Sequence, residues 1–199
     1  MSNMDPFESC PTIETSNFQL RKTIPDDAKD LLQCYSDQEA VKFFNSDNCN
    51  TDFYFQNLKE MKEYMDVWEC EYLDKVYVRF SIIDKKNDWV IGTIEFCPWL
   101  KKAEMFGKLA VLRLDIASMY EKEEIISELL QAVNKYLYDL FQVEKVFTKA
   151  IPAAAERILA LFNCGYSKLI EDSIVPYGDY YIRYQDTIKE GKLIKQGEE

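Results

Sequence analysis

The stretch KLAVLRLDIASMYEKEEIISELLQAVNKYLYDL, residues 108–140, determines the fold class, because a strand pattern leads directly into a helix pattern. Its first part, KLAVLRLDI (108–116), is rich in branched and large apolar residues and predicts a buried strand. Apolar residues then recur at helical spacing and predict the longest helix of the chain. They are Ile125, Ile126, Leu129, Leu130, Val133, Tyr136, Leu137 and Leu140.

Three strand patterns and two helix patterns precede this stretch. Apolar and polar residues alternate over residues 18–23, which is typical of a strand. Amphipathic helices are predicted over 26–36 and 57–72. Residues 76–83 and 89–96 are rich in β-branched and aromatic residues, and the short polar run between them predicts a β-hairpin.

The part of the chain after residue 140 adds a strand, a helix and two short strands. The run EKVFTKAI (144–151) predicts a strand, and Pro152 suits the start of a helix that ends at Gly165. Short strands are predicted over 166–170 and 180–184. The resulting order, β-α-α-β-β-β-α-β-α-β-β, predicts an α+β fold, an α/β sandwich with a mostly antiparallel central sheet flanked by helices.

The length of the chain favours one folded unit. With 199 residues, 47% of them hydrophobic, the chain can build one substantial core. We expect a single domain over residues 11–185, a flexible N-terminus over 1–10 and a polar C-terminal tail over 186–199.

The charge of the chain argues against two classes of partner. Its formal net charge is -11, with 24 basic against 35 acidic residues, so it repels a nucleic-acid backbone. No apolar run approaches the roughly 20 residues of a membrane span, and the first residues lack the pattern of a signal peptide. We therefore expect a soluble cytoplasmic protein that binds neither nucleic acid nor membrane.

The cysteine and histidine content limits the metal sites and catalytic mechanisms that are possible. The six cysteines form no C-x-x-C pair and the chain has no histidine, so we expect no metal site, and reduced thiols that lie mostly in the core. Without an imidazole, Ser-His-Asp and Cys-His catalysis are excluded. Acid–base chemistry is left to carboxylates, Tyr, Lys, Cys or water.

Four segments together carry a resemblance to a known family. They are PTIETSNFQLRKTIPDDAKDL (11–31), FSIIDKKNDWVIGTIEF (80–96), LRLDIASMYEKEEIISELL (112–130) and ILALFNCGY (158–166). Their order and spacing resemble the GCN5-related N-acetyltransferase (GNAT) family, and within it the RimJ/RimL-like branch of ribosomal-protein acetyltransferases. The resemblance implies the acyl-CoA N-acyltransferase fold, with Gly92 at the family's usual glycine in the hairpin.

The resemblance also implies a place for acetyl-CoA as cosubstrate. The family holds the pyrophosphate on backbone N–H groups at a helix start, in an Arg/Gln-x-x-Gly-x-Gly/Ala loop. That loop corresponds here to Glu121, Lys122, Glu123, Glu124, Ile125 and Ile126, and the neighbouring strand residues Leu114 and Ile116 would pair with the cofactor. Lys122, Glu124 and Ile126 stand at glycine positions, and no glycine occurs between Gly107 and Gly165. We therefore expect a degenerate phosphate loop.

Two interpretations of this helix start remain open. Ser118 and Glu121 have the spacing of a capping box, which would leave an ordinary helix that satisfies its own N-terminal N–H groups. Alternatively, acetyl-CoA binds through backbone pairing with the strand and tolerates the poorer loop. Glu121, Glu123 and Glu124 oppose phosphate by charge in either case.

The next helix departs from the family pattern as well. The family's Asn falls at Ala154, the Ser of this branch falls at Arg157, and the Tyr used elsewhere as general acid falls at Leu161. Without those polar groups, the only carboxylates on central strands near the expected cleft are Glu95 and Asp115. They are the candidate catalytic bases, although strand alternation leaves open whether either faces the cleft.

Aromatic residues are concentrated in two regions that flank the substrate groove in the family. They include Phe43, Phe44, Phe53, Tyr54 and Phe55 in one region, and Tyr177, Tyr180, Tyr181 and Tyr184 in the other. Core packing explains them as well as ligand contact does.

Two functions follow from these patterns. The first is transfer of an acetyl group from acetyl-CoA to an amine or peptide acceptor, such as a protein N-terminus. The second is a non-catalytic binding or regulatory module on the same fold, which the altered loop favours. Either protein is a monomer or a homodimer.

Overall fold

The computed structural model describes residues 5–99, 107–170 and 177–185. A central β-sheet forms the middle of the fold. The predicted C-terminal tail, residues 186–199, lies outside the described residues. Within them, the sheet contains eight strands: β1 (Ile13–Glu14), β2 (Phe18–Lys22), β3 (Val78–Asp84), β4 (Trp89–Pro98), β5 (Leu109–Ile116), β6 (Lys145–Lys149), β7 (Ser167–Lys168) and β8 (Tyr180–Tyr184).

Six α-helices in the described ranges connect these strands. They are α1 (Ala28–Tyr35), α2 (Gln38–Val41), α3 (Leu58–Leu73), α4 (Glu123–Asn134), α5 (Leu137–Phe141) and α6 (Ala155–Asn163). Short 3-10 turns precede α1, at Pro25–Asp27, and α4, at Ser118–Tyr120.

The strand order is β1-β2-β3-β4-β5-β6-β8-β7. Only the β5–β6 pair is parallel among the described strands; the other neighbours are antiparallel. The predicted α+β architecture and mostly antiparallel sheet are therefore confirmed. The parallel pair requires a crossover connection, which α4 and α5 provide.

The core fills the layer between the sheet and α4 to α6. Side chains on this face of β3 and β4 are fully buried, and Phe80 packs edge-on against Phe96 with ring centres 6.1 Å apart. Phe96 in turn contacts Phe141 of α5 at 5.6 Å. Helices α1 and α3 cover the opposite face, where Tyr35 and Trp68 are buried.

An ion pair fixes the entry into α1. Arg21 of β2 donates from both terminal nitrogens to the carboxylate of Asp27, at 2.8 and 2.6 Å. Ser81 of β3 donates to the same carboxylate at 2.6 Å. Burial raises the pKa of Asp27, but these hydrogen bonds outweigh it and hold that pKa below its ordinary value. The ion pair thus joins the end of β2 to the start of α1 within the segment 11–31.

The helix predicted as one long element is broken. Helix α4 ends at Asn134, and a turn changes the direction of the chain before α5 begins. Tyr136, which was expected on the buried apolar face, is therefore 51% exposed. The break lets Leu137 and Phe141 reach the core from a new direction. The longest helix is α3 instead.

Other boundaries shift by a few residues. The last helix begins at Ala155 rather than at Pro152, because Pro152 and Ala153 form a turn and Ala154 has non-helical dihedral angles. Short β1 and α2 are additional elements that the sequence pattern did not predict.

Residues 5–10, part of the segment expected to be flexible, pack on the domain. Phe7 lies 5.8 Å from the Tyr72 ring and 6.3 Å from the Phe141 ring. Tyr72 donates a hydrogen bond to the carbonyl of Pro6, and Lys75 pairs with Asp5. These contacts hold the segment against α3 and α5.

All six cysteines are free thiols, but they are less buried than expected. Cys34 and Cys164 are buried, while Cys70 is exposed and the others are half-buried. None of the helices in the described ranges is both long and apolar enough to cross a bilayer.

Gly92 allows β4 and β5 to approach closely, and this gives a test of the fold. A Cβ at this position would lie 2.1 Å from the Asp115 carbonyl oxygen, with φ at +154°. We predict that Gly92→Ala lowers the free energy of unfolding by on the order of 3 kcal/mol. Urea unfolding measures this loss.

Gly178→Ala is the matched control, because nothing lies within 4 Å of its Cβ position. Its stability should stay within about 0.5 kcal/mol of wild type. Equal effects of the two substitutions would refute the close approach at Gly92.

Candidate functional site

The pairing between β5 and β6 stops halfway along β5. Residues Leu109 to Leu112 pair with Lys145 to Thr148, whereas the remainder of β5 pairs only with β4. Leu114 and Ile116, predicted to pair with acetyl-CoA, therefore lie where β5 has lost its second neighbour. The free edge leaves backbone groups of β5 available to another partner.

Arg157 of α6 supplies that partner. One terminal nitrogen, Nη1, donates to the Leu114 carbonyl at 2.9 Å and to the Phe43 carbonyl at 3.0 Å. The side chain is 4% exposed, so the guanidinium lies inside the protein at the opening between β5 and β6. The position of the branch's small Ser is thus filled by a long cation.

Glu121 neutralises this buried cation. Its two carboxylate oxygens accept hydrogen bonds from Nε and Nη2 of Arg157, both at 2.7 Å, in a bidentate pair. The Glu121 side chain is 7% exposed. Planar, doubly hydrogen-bonded pairs of this kind are strong and geometrically specific. Glu121 was predicted to contact cofactor, but it binds Arg157.

A second carboxylate occupies the start of α4. The backbone N–H of Glu123, the first residue of that helix, donates to Glu156 Oε2 at 2.9 Å. The Glu123 side chain turns back and accepts from Ser127 and Asn163. Hydrogen bonds from Asn163 and Ser127 lower the pKa of Glu123. Protein carboxylates thus lie where a bound phosphate would meet the helix.

The predicted capping box is wrong. Ser118 lies in the 3-10 turn before α4, its side chain caps nothing, and Lys122 is the N-cap without a side-chain hydrogen bond. The Glu121 carboxylate pairs with Arg157, so it does not accept the hydrogen bond from the turn that a capping box requires. The cap comes from another helix, through Glu156, which sequence spacing along one helix does not show.

The other residues predicted to contact cofactor have different surroundings. Lys122 and Glu124 are exposed, and Ile125 is half-buried. Ile126 is fully buried and belongs to the hydrophobic core. A glycine at Ile126 would therefore open a cavity rather than restore a loop.

The two candidate bases lie on the same sheet face. Glu95 stands directly opposite Arg79 of β3 on one side and Arg113 of β5 on the other. Its Oε2 pairs with Arg79 and its Oε1 accepts from Arg113 at 3.1 Å. Both oxygens are occupied, so Glu95 serves as the link between two buried arginines.

Asp115 has a different environment. Its Oδ2 accepts from the Tyr35 hydroxyl at 2.9 Å and from Arg79 at 3.4 Å, and its Oδ1 is buried without a hydrogen-bond partner in the described structure. Burial raises the pKa of Asp115 above its ordinary value, with Arg79 opposing that shift. Of the two carboxylates, only Asp115 retains a free oxygen to accept a proton.

Residues 43–48, after α2, form a strap across the open end of the β5–β6 pair. Arg113 donates to the Asp47 carbonyl at 2.9 Å, and Lys149 donates to both Asp47 carboxylate oxygens at 2.8 Å. Asn45 donates to the Tyr180 hydroxyl at 3.1 Å. The strap is therefore tied to β5, β6 and β8.

A cavity of about 370 Å³ lies beside the strap, and we call it the acceptor-side cavity. Its walls include Asp47, Tyr77, Cys97, Val111, Arg113 and Tyr180. The aromatic residue Tyr180, expected to flank a substrate groove, thus lines a cavity. A second cavity, about 290 Å³, lies between the end of β2 and α3, away from the open strand edge.

Comparison with known proteins identifies the family. The model described as "Acetyltransferase (GNAT) domain" matches residues 17–165, which is most of the chain. The chain belongs to the GNAT acetyltransferase family. Over 157 residues it is 25% identical to "Uncharacterized N-acetyltransferase p20" of Bacillus licheniformis, covering 79% of this chain and 83% of that protein.

Solved structures share the GNAT fold. A ribosomal-protein-S5-alanine acetyltransferase of Vibrio fischeri superposes with a TM-score of 0.64 at 14% identity, covering 89% of this chain and 98% of that one. Spermidine N-acetyltransferase of Vibrio cholerae, solved with CoA and spermine, gives 0.63 at 12% identity, covering 86% and 97%. At these identities the likeness extends to the fold alone.

The residues of this GNAT chain do not fit acetyl-CoA as they stand. The first helix N–H is bonded to Glu156, and the Leu114 carbonyl is bonded to Arg157. A carboxylate at the helix start repels phosphate, and a guanidinium at the strand edge takes the place of a pairing amide. In the described residues, no three His, Cys, Asp or Glu side chains converge as a metal site.

Sequence reasoning missed several residues that shape the site. Arg79 and Arg113 read as ordinary strand residues, and only the register shows that they bracket Glu95. Glu156 followed a run of alanines and gave no signal. Charged residues at every second position of one strand, as in Arg113 and Asp115, are the pattern that could have indicated a buried polar row.

Substitution of Glu95 and substitution of Asp115 should change the stability of the fold by very different amounts. We predict that Glu95→Gln destabilises the fold by about 3 to 5 kcal/mol, because two buried arginines lose their shared counter-charge. Asp115→Asn should change stability by less than about 1.5 kcal/mol, because burial already disfavours the charged form and an amide oxygen accepts from Tyr35. Thermal unfolding at neutral pH measures both variants. Equal losses would contradict the assigned roles.

Proposed function

We propose that this GNAT-family chain is a non-catalytic binding module. The observation that carries the proposal is the buried Arg157 guanidinium, bonded to Glu121 and to the Leu114 carbonyl at the open edge of β5. Side chains of the protein itself occupy the groups that, by resemblance to the family, would contact acetyl-CoA. The protein keeps the fold, the strap and the cavity, and uses them for a ligand other than acetyl-CoA.

The energetic cost of displacing Arg157 supports this proposal. Removing one partner of a buried ion pair costs about 3 to 5 kcal/mol, because the other charge stays buried and unpaired. Acetyl-CoA would have to overcome that cost and also separate Glu156 from the Glu123 N–H. It would do so without glycines at Lys122 and Glu124, where close backbone approach is needed.

A second function is favoured by one observation. Asp115 keeps a buried, unpaired oxygen, and its raised pKa suits a base that takes a proton from an amine. In that case Arg157 swings out, acetyl-CoA enters, and an amine acceptor is acetylated. Relatives named for a ribosomal protein and for spermidine suggest the acceptor class.

Thermal unfolding with 1 mM acetyl-CoA distinguishes the two functions. We predict no rise in the melting temperature of the wild-type protein. A ligand at 100 times its dissociation constant adds about 2.7 kcal/mol, which is roughly 5 to 10 °C at this chain length. A rise of that size would contradict the proposal.

A triple variant tests the cause. Glu121→Gln, Glu156→Gln and Arg157→Ser together remove the side chains that occupy the cofactor's contacts, and the variant should gain affinity for acetyl-CoA. Glu63→Gln is the control, because it makes the same net change in charge at an exposed position of α3, away from this helix start. It should behave as wild type.

Activity is measured separately. Wild-type protein is incubated with acetyl-CoA and either spermidine or a peptide with a free N-terminus, and acetylated product is followed by mass spectrometry. We predict no product above the uncatalysed background. Product formation that Asp115→Asn abolishes would establish the second function instead.

A further inference from the structure

The acceptor-side cavity has the size and walls of a small-molecule site. Its volume of about 370 Å³ lies in the range of ligand pockets, which run from roughly 300 to 1,000 Å³. Aromatic side chains of Tyr77, Trp99 and Tyr180 line it together with Val111. These walls suit a ligand with a flat or branched apolar part.

The charged residues that line the cavity are Arg113 and Asp47, and the Asp47 carboxylate is paired with Lys149. Arg113 keeps 16% of its side chain exposed. Nη1 of Arg113 donates to Glu95 and Nη2 donates to the Asp47 carbonyl. A further N–H of the guanidinium, at Nε, is buried and has no hydrogen-bond partner in the described structure. A buried donor without a partner favours an incoming acceptor oxygen.

The nearby carboxylates are already occupied. Both oxygens of Asp47 accept from Lys149, and one also accepts from the Tyr180 hydroxyl at 3.1 Å. Both oxygens of Glu95 accept from arginines. An ammonium group in the cavity would therefore meet the positive charge of Arg113 and would have to share the Asp47 carboxylate with Lys149, which disfavours an amine.

We infer that the acceptor-side cavity binds a small carboxylate with an aromatic or branched apolar part, held by Arg113. The inference rests on the proposed function, since it names the ligand class of a module that does not acetylate amines. A small shift of the Arg113 side chain brings Nε–H to one carboxylate oxygen, while the apolar part lies against Tyr77 and Tyr180. Arg113 then serves the ligand and Glu95 together.

Three probes of similar shape test the ligand class. They are N-acetyl-L-phenylalanine, which carries a carboxylate, its neutral primary amide, and 2-phenylethylamine, which carries an ammonium. Isothermal titration calorimetry without acetyl-CoA should show a dissociation constant at least tenfold lower for the carboxylate than for the other two. Equal binding of the three, tightest binding of the amine, or no binding of the carboxylate at 10 mM would each overturn the inference.

Two variants and a control locate the site. Arg113→Lys keeps the positive charge beside Glu95 but removes the planar fork, and should weaken the carboxylate probe at least fivefold. Val111→Phe fills the cavity from a neighbouring position on the same face of β5, leaves Arg113 in place, and should weaken all binding. Leu159→Ala, at an exposed position of α6, should leave binding unchanged. Carboxylate binding that survives both Arg113→Lys and Val111→Phe would place the ligand elsewhere.

This result is independent of the acetyl-CoA experiments. Failure of all three probes, with no acetyl-CoA binding, would overturn the ligand class and leave the non-catalytic proposal standing. Binding of acetyl-CoA would overturn the proposed function whatever the probes show.

Discussion

The buried guanidinium of Arg157 holds several parts of the molecule together at the open edge of β5. It joins α6 to the turn at Glu121, to the open edge of β5 at Leu114 and to the strap at Phe43. A charge at this depth requires a counter-charge and a full set of acceptors, and the chain supplies both. An internal ion pair thus lies at the open edge of β5.

A second polar cluster on the sheet gives the neighbouring cavity its character. Arg79, Glu95 and Arg113 lie side by side across β3, β4 and β5, and the carboxylate balances two guanidinium groups. Arg79 also pairs with Asp115, and Arg113 forms the cationic end of the row, beside the strap. The position of Glu95 therefore supports stability and ligand preference, whereas Asp115 is set apart by its unpaired oxygen.

Strand and helix patterns predicted the fold because burial imposes periods of two and 3.6 residues on local sequence. The hairpin 76–96 and the strand 108–116 followed directly. The break after Asn134 was not predictable in this way, since apolar spacing continued through it. The site was less predictable still: Arg157 and Glu156 act on residues more than thirty positions away in the chain, and no local pattern encodes such a pair. The lack of glycine between Gly107 and Gly165 was visible in the sequence, but the contacts of the side chains at the start of α4 required coordinates.

The most direct test observes the two occupied contacts themselves. In ¹⁵N-resolved NMR spectra of the wild-type protein, the Glu123 amide and the Arg157 Nε–H report on the Glu156 and Glu121 carboxylates. The account predicts that both resonances, and the amides of residues 114–116, stay in place when acetyl-CoA is added to 1 mM, and that Glu156→Gln moves the Glu123 amide. Concerted, saturable shifts of Glu123, Arg157 and residues 114–116 on adding acetyl-CoA would contradict it, because they would show the cofactor displacing the internal ion pair.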